Sequence, residues 1–312
     1  MIVEYLESFY DSQNKKDQPP NPFRASRAGH CIRAMAYDVL GVKGEPLTPR
    51  RSAVFRHGHI IDSVLKQDLK QAMGDKFLNL DKIGRDSCVI EGVKITYEPD
   101  GAFQTDDGNI GIVEIKTMSD YGFNRALKGE IDRIYLCQAW VYHFGTSFNP
   151  VVFLCYRKET SHFVEVVFDR NATEIIVTQR FGGDPIQLAT EDPLMIAQVR
   201  SPFDASVEQE VREKFKRLAE VKTLSDLPQG VNAIEDEVVK VQGKAAALDY
   251  MDRRKDAGLK IEDVQRSGSW YAFLTGRKIA GFPCSYCSKI KICLGAKLEI
   301  KDGKPTWVMA MS

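Results

Sequence analysis

An apolar run that ends in two opposite charges, Ile110-Gly111-Ile112-Val113-Glu114-Ile115-Lys116, constrains this chain more than any other segment. Aliphatic residues in near-unbroken succession suit a strand in the middle of a sheet, covered on both faces. Side chains alternate across a strand, so Glu114 and Lys116 share one face and Ile115 takes the other. Upstream, Tyr97-Glu98-Pro99-Asp100 predicts a neighbouring strand and Thr105-Asp106-Asp107-Gly108 a turn, which together make a hairpin that carries Asp100 alongside Glu114 and Lys116. Two converging carboxylates hold a hard divalent cation through oxygen, and a lysine beside them can orient or deprotonate a water, or screen a phosphate. That chemistry is hydrolysis. An E-x-K triplet also fits a solvated charge pair on an edge strand, with no chemistry attached. The two readings part on burial, because ionised groups inside a central strand are costly without compensation.

Further along, Gln138-Ala139-Trp140-Val141-Tyr142 lies in a stretch from Asp132 to Phe144 whose Ile134, Val141 and Tyr142 are spaced as a helical face. Gln138 and Tyr142 are four apart and share one side of that helix, a spacing common to many helices. Before the hairpin, Phe55-Arg56-His57-Gly58-His59-Ile60-Ile61-Asp62 belongs to a helix predicted over 53–72. Asp62 is a suitable hard-cation ligand and His59, nearly one turn earlier, a borderline one. Both also fit an ordinary polar helix surface.

Seven cysteines without a secretory leader argue against a disulfide framework. Cys284, Cys287 and Cys293 form C-x2-C-x5-C near the C-terminal end, three thiols that need a fourth ligand, and Cys31 is the candidate. A four-cysteine zinc site and an iron–sulfur cluster are both compatible with this set. Cys88, Cys137 and Cys155 sit in apolar contexts and read as small core residues.

Taken together, the acid at Asp100, the Glu114-Ile115-Lys116 triplet and the Gln138/Tyr142 helix resemble the PD-(D/E)XK nucleases, and within them the RecB-like branch. The one-plus-three cysteine arrangement resembles the iron–sulfur subgroup of that branch, which includes CRISPR-associated RecB-like exonucleases and AddB-type subunits. The match extends to Ser26, Arg33 and Tyr37 around Cys31, in a short helix ended by Gly41.

The resemblance implies a restriction-endonuclease-like α/β core, with a mixed central sheet flanked by helices. It implies a metal site of Asp100, Glu114, the Ile115 carbonyl and Asp62, with His59 as the alternative, for Mg2+ or Mn2+. Asp62 stands where the family usually places a histidine. Lys116 would position the attacking water, Gln138 and Tyr142 would organise the site, and Cys31, Cys284, Cys287 and Cys293 would hold a [4Fe-4S] cluster, with Zn2+ as the alternative. The implied activity is a stand-alone bacterial or phage exonuclease, with some endonuclease action, on single-stranded or frayed DNA in recombination or repair. A catalytically silent DNA-binding or complex-forming subunit with a metal staple is the competing expectation.

Composition narrows the partners. With 43 basic and 43 acidic residues, bulk electrostatics cannot carry nucleic-acid binding, so it must be local. Arg24, Arg27, Arg33 and Arg56, with Arg50 and Arg51, form the basic stretch suited to a phosphate backbone or, equally, to a solvated helix face. Tyr121, Phe123 and Trp140 are candidates to stack on bases, or to fill the core. Gly243-Lys244 is followed by Ala245, and Val238 stands where a phosphate-cradling loop needs glycine; no ATPase is encoded, and a helicase, recombinase or integration partner would act in trans. No apolar run approaches membrane-spanning length and the first residues do not form a secretory signal, so a cytoplasmic location is expected.

The expected organisation is a nuclease core over residues 1–200 and a helical region over 201–312 that closes on the N-terminal segment through the cysteine cluster. Helices are predicted near 2–10, 31–40, 207–221 and 232–254, with a long helical stretch after Asp169-Arg170-Asn171. Strands are predicted over 150–156 and 162–168.

Overall fold

The computed structural model describes residues 2–13, 20–78, 86–179, 193–228, 234–241, 259–264, 269–280, 288–289, 292–293, 297–301 and 304–308. The chain divides into two compact units. One comprises Met1–Leu40 and Leu47–Pro228, the other Gly41–Pro46 and Gln229–Ser312. The division therefore falls at Pro228 instead of residue 200, and a short N-terminal segment belongs with the second unit.

In the first unit the helices are α1 (Ile2–Gln13), α2 (Ile32–Val39), α3 (Pro49–Met73), α4 (Asp120–Ala126), α5 (Arg133–Thr146) and α6 (Ala205–Glu220). Its strands are β1 (Phe77–Leu78), β2 (Asp86–Ile90), β3 (Val93–Tyr97), β4 (Gly101–Gln104), β5 (Ile110–Met118), β6 (Val151–Arg157), β7 (Phe163–Phe168), β8 (Ile176–Gln179) and β9 (Met195–Ser201). Seven of these strands form a mixed sheet in the order β1-β4-β5-β6-β7-β9-β8, while β2 and β3 form a separate hairpin. β5 has β4 antiparallel on one side and β6 parallel on the other. Residues 111–115 are all buried, as a strand flanked on both sides should be. α4 and α5 lie between β5 and β6 in the chain, the helical crossover that a parallel pair requires.

Helix sequences explain where each helix sits. α5 buries every residue from Cys137 to Tyr142, so it is enclosed on all sides and shows no polar stripe there. α6 is amphipathic and buries Val207, Val211, Phe215 and Leu218, one face of the helix. Asp204 accepts a hydrogen bond from the Ser206 amide and caps its start. α3 begins at Pro49 behind the Thr48 cap and has no buried residue along its length. Gly58 of α3 faces Thr117, whereas Gln138 and Tyr142 of α5 bond Glu114. Thr117 and Glu114 are on opposite faces of β5, so the sheet is a layer between those two helices. The core joins α5, α6 and α2 to β5, β6, β7 and β9 through Tyr142, Phe153, Phe168, Met35 and Phe215.

The turn and second strand of the hairpin, the two strands after Asn149 and the helices around 32–39, 49–73, 133–146 and 205–220 match the sequence expectations. The first hairpin strand is Gly101–Gln104, so Asp100 precedes it and Glu98–Asp100 form a corner instead of a strand. Two other expectations do not match. The stretch after Asn171 is not a long helix: it contains β8, then β9. Ile175-Ile176-Val177-Thr178 is a β-branched run, stiff at χ1 and favoured in strands.

The expected helical C-terminal elaboration is also corrected. Among the described residues the second unit is built of β10 (Ile234–Val241), β11 (Leu259–Val264), β12 (Ser269–Ala280), β13 (Lys297–Lys301) and β14 (Lys304–Val308). They run β10-β12-β14-β13, with β11 also paired to β12. The predicted helix over 232–254 begins with a strand because Ile234, Val238, Val239 and Val241 prefer extended backbone; residues 242–254 lie outside the described residues. Gly41–Pro46 joins this unit by backbone: the Glu45 amide donates to the Ser288 carbonyl at 2.7 Å, and the buried Lys289 ammonium donates to the Val42 carbonyl. Among the described residues no helix is long and apolar enough to cross a membrane.

Candidate active site

Glu114 lies at the centre of β5 and is buried. Its Oε1 accepts from Lys116 Nζ at 2.7 Å and from Gln138 Nε2 at 2.8 Å, and its Oε2 accepts from the Tyr142 hydroxyl at 2.8 Å. Gln138 Nε2 also donates to the Tyr142 oxygen at 2.8 Å, so Gln138, Tyr142 and the carboxylate close a ring to which Lys116 adds a third donor. The i, i+4 spacing on α5 puts Gln138 and Tyr142 on one face, and Asp132 sets the start of that helix by accepting from the Ile134 amide at 3.0 Å. Burial pushes the Glu114 carboxyl above its ordinary range; the Lys116 ammonium opposes this and the Asp100 charge adds to it. Burial and the Glu114 charge together keep Tyr142 protonated, as a hydroxyl that donates to Glu114 must be.

Lys116 is held from two directions. Its ammonium lies over the Tyr135 ring at 5.6 Å and over the Phe153 ring at 5.5 Å while bonding Glu114. Ring faces attract the cation and restrict its swing, which a lone salt bridge on a flexible stem would not.

Asp100 is placed by the end of a strand. β4 starts at Gly101, opposite Val113, and Asp100 sits just before it at the corner from β3. There the ladder stops, and the Asp100 carboxylate replaces it: Oδ2 accepts from the Ile115 amide at 2.7 Å. The next position must be glycine, because a Cβ at Gly101 would lie 2.6 Å from the Phe77 ring and 2.8 Å from a Val113 methyl. Asp100 thus meets β5 through the Ile115 backbone, and it acts on Glu114 through charge.

The other Asp100 oxygen reveals a residue the sequence analysis missed. Lys66 Nζ lies 2.8 Å from Asp100 Oδ1 and 3.0 Å from Asp62 Oδ2. α3 therefore delivers an ammonium between two carboxylates. Burial alone would lower the Lys66 pKa, but Asp100 and Asp62 outweigh it and the group titrates above the usual lysine range. Burial, then Asp100, raise the Asp62 carboxyl despite Lys66. Asp62 Oδ1 is buried with no hydrogen-bond partner. A signal for Lys66 was present, since it stands four residues after Asp62 on the same helix.

These contacts bring together Asp62, Asp100, the Ile115 backbone, Glu114, Lys116, Gln138 and Tyr142, as two clusters on either side of Ile115. They do not form a ready cage: among the described residues, no three His, Cys, Asp or Glu side chains converge as a metal site. His59 is exposed and acts on Asp62 only as a neighbouring charge.

The arginines divide. Arg27 pairs with the buried Asp38 at 2.6 Å, so its guanidinium is committed to the fold. Arg33 is half-buried, with Nε out of solvent and lacking a hydrogen-bond partner. Arg24 is exposed, and Arg56 is exposed over the Phe9 ring of α1 at 5.8 Å. Of the three aromatics flagged for base stacking, Phe123 and Trp140 are core, and Tyr121 is 75% exposed.

Of the proposed cluster cysteines, Cys31 stands just before α2 in the first unit, its side chain making no capping bond, and Cys293 lies in the second; both are half-buried and neither is in a disulfide. Cys284 and Cys287 lie outside the described residues. Cys137 and Cys155 are buried core residues as expected, and burial pushes their thiols up to about 11 and about 12.

No protein-family model matches the chain, and no curated protein matches it. A solved structure titled "Crystal structure of SSO0001" is similar at a TM-score of 0.39, with 14% identity over 72% of this chain and 88% of that one.

Proposed function

We propose that this chain is a metal-dependent deoxyribonuclease that hydrolyses DNA phosphodiester bonds. The observation that carries the reading is the enclosure of Glu114: a buried carboxylate in a central strand, bonded at once by Lys116, Gln138 and Tyr142. A solvated charge pair on an edge strand needs no such ring. Four residues of the motif order that resembles PD-(D/E)XK enzymes, Glu114, Lys116, Gln138 and Tyr142, share direct contacts, and Asp100 joins them through the Ile115 amide.

The donors suit Mg2+ or Mn2+, since all are oxygens: Asp62, Asp100, Glu114 and the Ile115 carbonyl. The partnerless, buried Asp62 Oδ1 is the feature of the fold that fits a cation. When bound, such an ion supplies charge and Lewis acidity at the scissile phosphate. Lys116 has two ammonium protons beyond its bond to Glu114, enough to hold a water or a phosphoryl oxygen. Gln138 and Tyr142 fix the Glu114 carboxylate. The substrate class proposed is single-stranded or frayed DNA, cut from an end, with Arg24 and Arg56 as phosphate contacts. A helicase, recombinase or integration partner would supply the strand. Cys31, Cys284, Cys287 and Cys293 are proposed to hold a [4Fe-4S] cluster or, alternatively, zinc.

Lys66 favours one competing reading, since an ammonium between Asp62 and Asp100 also suits a silent DNA-binding subunit. One experiment separates them: digestion of end-labelled single- and double-stranded DNA with Mg2+, Mn2+ or chelator, with Glu114→Gln and Lys116→Met as controls. Metal-dependent cleavage by wild type, lost in both folded variants, is the expected result. Wild-type protein that binds DNA and never cuts it, or variants that cut normally, would remove the proposal.

A further inference from the structure

The Tyr135 ring, over which Lys116 lies, belongs to a residue that also lines a cavity. β5 runs on from Lys116 to Thr117 and Met118, and there a cavity of about 230 Å3 opens, with Ser119, Arg125, Asp132 and Tyr135 among its walls. Tyr135 belongs to both places, because Lys116 lies over its ring. The cavity is smaller than the roughly 300–1,000 Å3 of pockets that enclose drug-sized ligands, so it suits a single planar ring system. Its walls include Ser119 and Tyr135, which carry hydroxyls, and Glu130 and Asp132, which carry carboxylates. Ser119 precedes α4 without bonding its amides, so that hydroxyl is not used as a cap. Tyr135 titrates far above its ordinary range because of burial, and remains a neutral donor.

One wall continues into a stacking surface. Arg125 lies over the Tyr121 ring at 5.9 Å, and Tyr121 is 75% exposed. Arg125 Nε also donates to Glu130 Oε2 at 3.2 Å, an exposed pair that water screens. Ring and guanidinium together match what unpaired bases and their phosphates bind: a π-face with a cation beside it.

We propose that this cavity, with Arg125 in its wall and the Tyr121 ring beneath Arg125, takes one unpaired nucleobase of the DNA strand, adjacent to the scissile phosphate. The inference rests on the nuclease reading and adds to it a base-binding subsite. The base stacks on Tyr121, its edge meets the polar groups within, and Arg125 exchanges its exposed pair with Glu130 for the phosphate. Such a subsite admits a single strand and rejects a duplex, whose bases are already paired and stacked.

The test is fluorescence anisotropy of labelled oligo(dT) with metal-free protein, comparing wild type, Tyr121→Ala and Tyr121→Trp, and repeating each with an abasic residue moved along the oligonucleotide. Tyr121 is largely exposed, so the variants keep the wild-type melting temperature. Tyr121→Ala is expected to weaken binding about 5- to 100-fold, as loss of one stacked base does, and Tyr121→Trp to retain it. One abasic position should weaken wild type and leave Tyr121→Ala unchanged, the non-additivity of groups in contact. Equal losses at every abasic position, or no loss in Tyr121→Ala while wild type binds and cleaves single strands, would overturn the subsite and leave the nuclease reading standing. Wild type that neither binds nor cleaves single-stranded DNA would overturn both.

Discussion

Replacing Lys66 by methionine removes an ammonium that holds two carboxylates together and keeps most of the stem that packs beneath it. Lys66 bonds Asp100 at 2.8 Å and Asp62 at 3.0 Å, with side-chain exposures of 36% for Lys66, 26% for Asp62 and 18% for Asp100. Breaking a fully buried ion pair by removing one partner costs about 3–5 kcal/mol. Here a third of the lysine is in water, which screens the charges, so the expected cost is about 1–2 kcal/mol. For a unit of roughly 150–250 residues that corresponds to a fall of about 2–8 °C in Tm.

The same change should have the opposite sign once a cation is present. Wild type must displace its own ammonium before Asp62 and Asp100 can share an ion, and Lys66→Met need not. Mn2+ at about one hundred times Kd stabilises by about 2.7 kcal/mol, so a variant with tighter binding shows the larger shift at each Mn2+ concentration. Scanning calorimetry in chelator and across a Mn2+ titration, with isothermal titration for Kd, measures both halves. A variant as stable as wild type in chelator, or one whose Mn2+ shift is no larger, refutes the reasoning.

Tyr142→Phe removes the hydroxyl that donates to Glu114 Oε2 and accepts from Gln138, at an expected cost of about 1.5–3 kcal/mol by denaturant unfolding; a cost below about 0.5 kcal/mol would mean that Glu114 is held by other means. His30 is driven from 6.5 down to about 4 by burial, then by the Arg27 and Lys214 charges, against the Asp132 charge. It is neutral when folded and protonates more readily when unfolded, so stability is lost as pH falls from 6.5 toward about 4. His30→Gln should flatten urea-unfolding stability across that window, by at most roughly 3 kcal/mol, whereas an unchanged slope would exclude His30 as the source. Cys31→Ser is expected to lower bound iron, or zinc, in anaerobically purified protein, measured by metal analysis and the visible thiolate-to-iron band; unchanged metal content would remove Cys31 from the ligand set.

Much of the candidate site's geometry was legible because it is local. Strand alternation put Glu114 and Lys116 on one face, and helical spacing put Gln138 beside Tyr142, whatever the rest of the chain did. The correction at 232–254 has the same origin: Val238, Val239 and Val241 carried a strand preference that a charged, loosely helical pattern obscured. The arginines show where local reading stops. Arg24 and Arg27 are alike in sequence, yet one is exposed and the other is committed to Asp38, because only the packing of α2 decides which guanidinium meets a buried carboxylate.

The sequence by itself determined the strand pair, the helix that follows and the candidate acids, since dihedral preference and side-chain periodicity act over a few residues. Tertiary structure alone decided that Asp100 bonds the Ile115 amide where β4 ends, that Lys66 stands between Asp62 and Asp100, and that Tyr121 faces solvent while Trp140 is buried. Each is a matter of burial or of distance across the sheet. Those are set by what other segments exclude from water, which no window of neighbouring residues records.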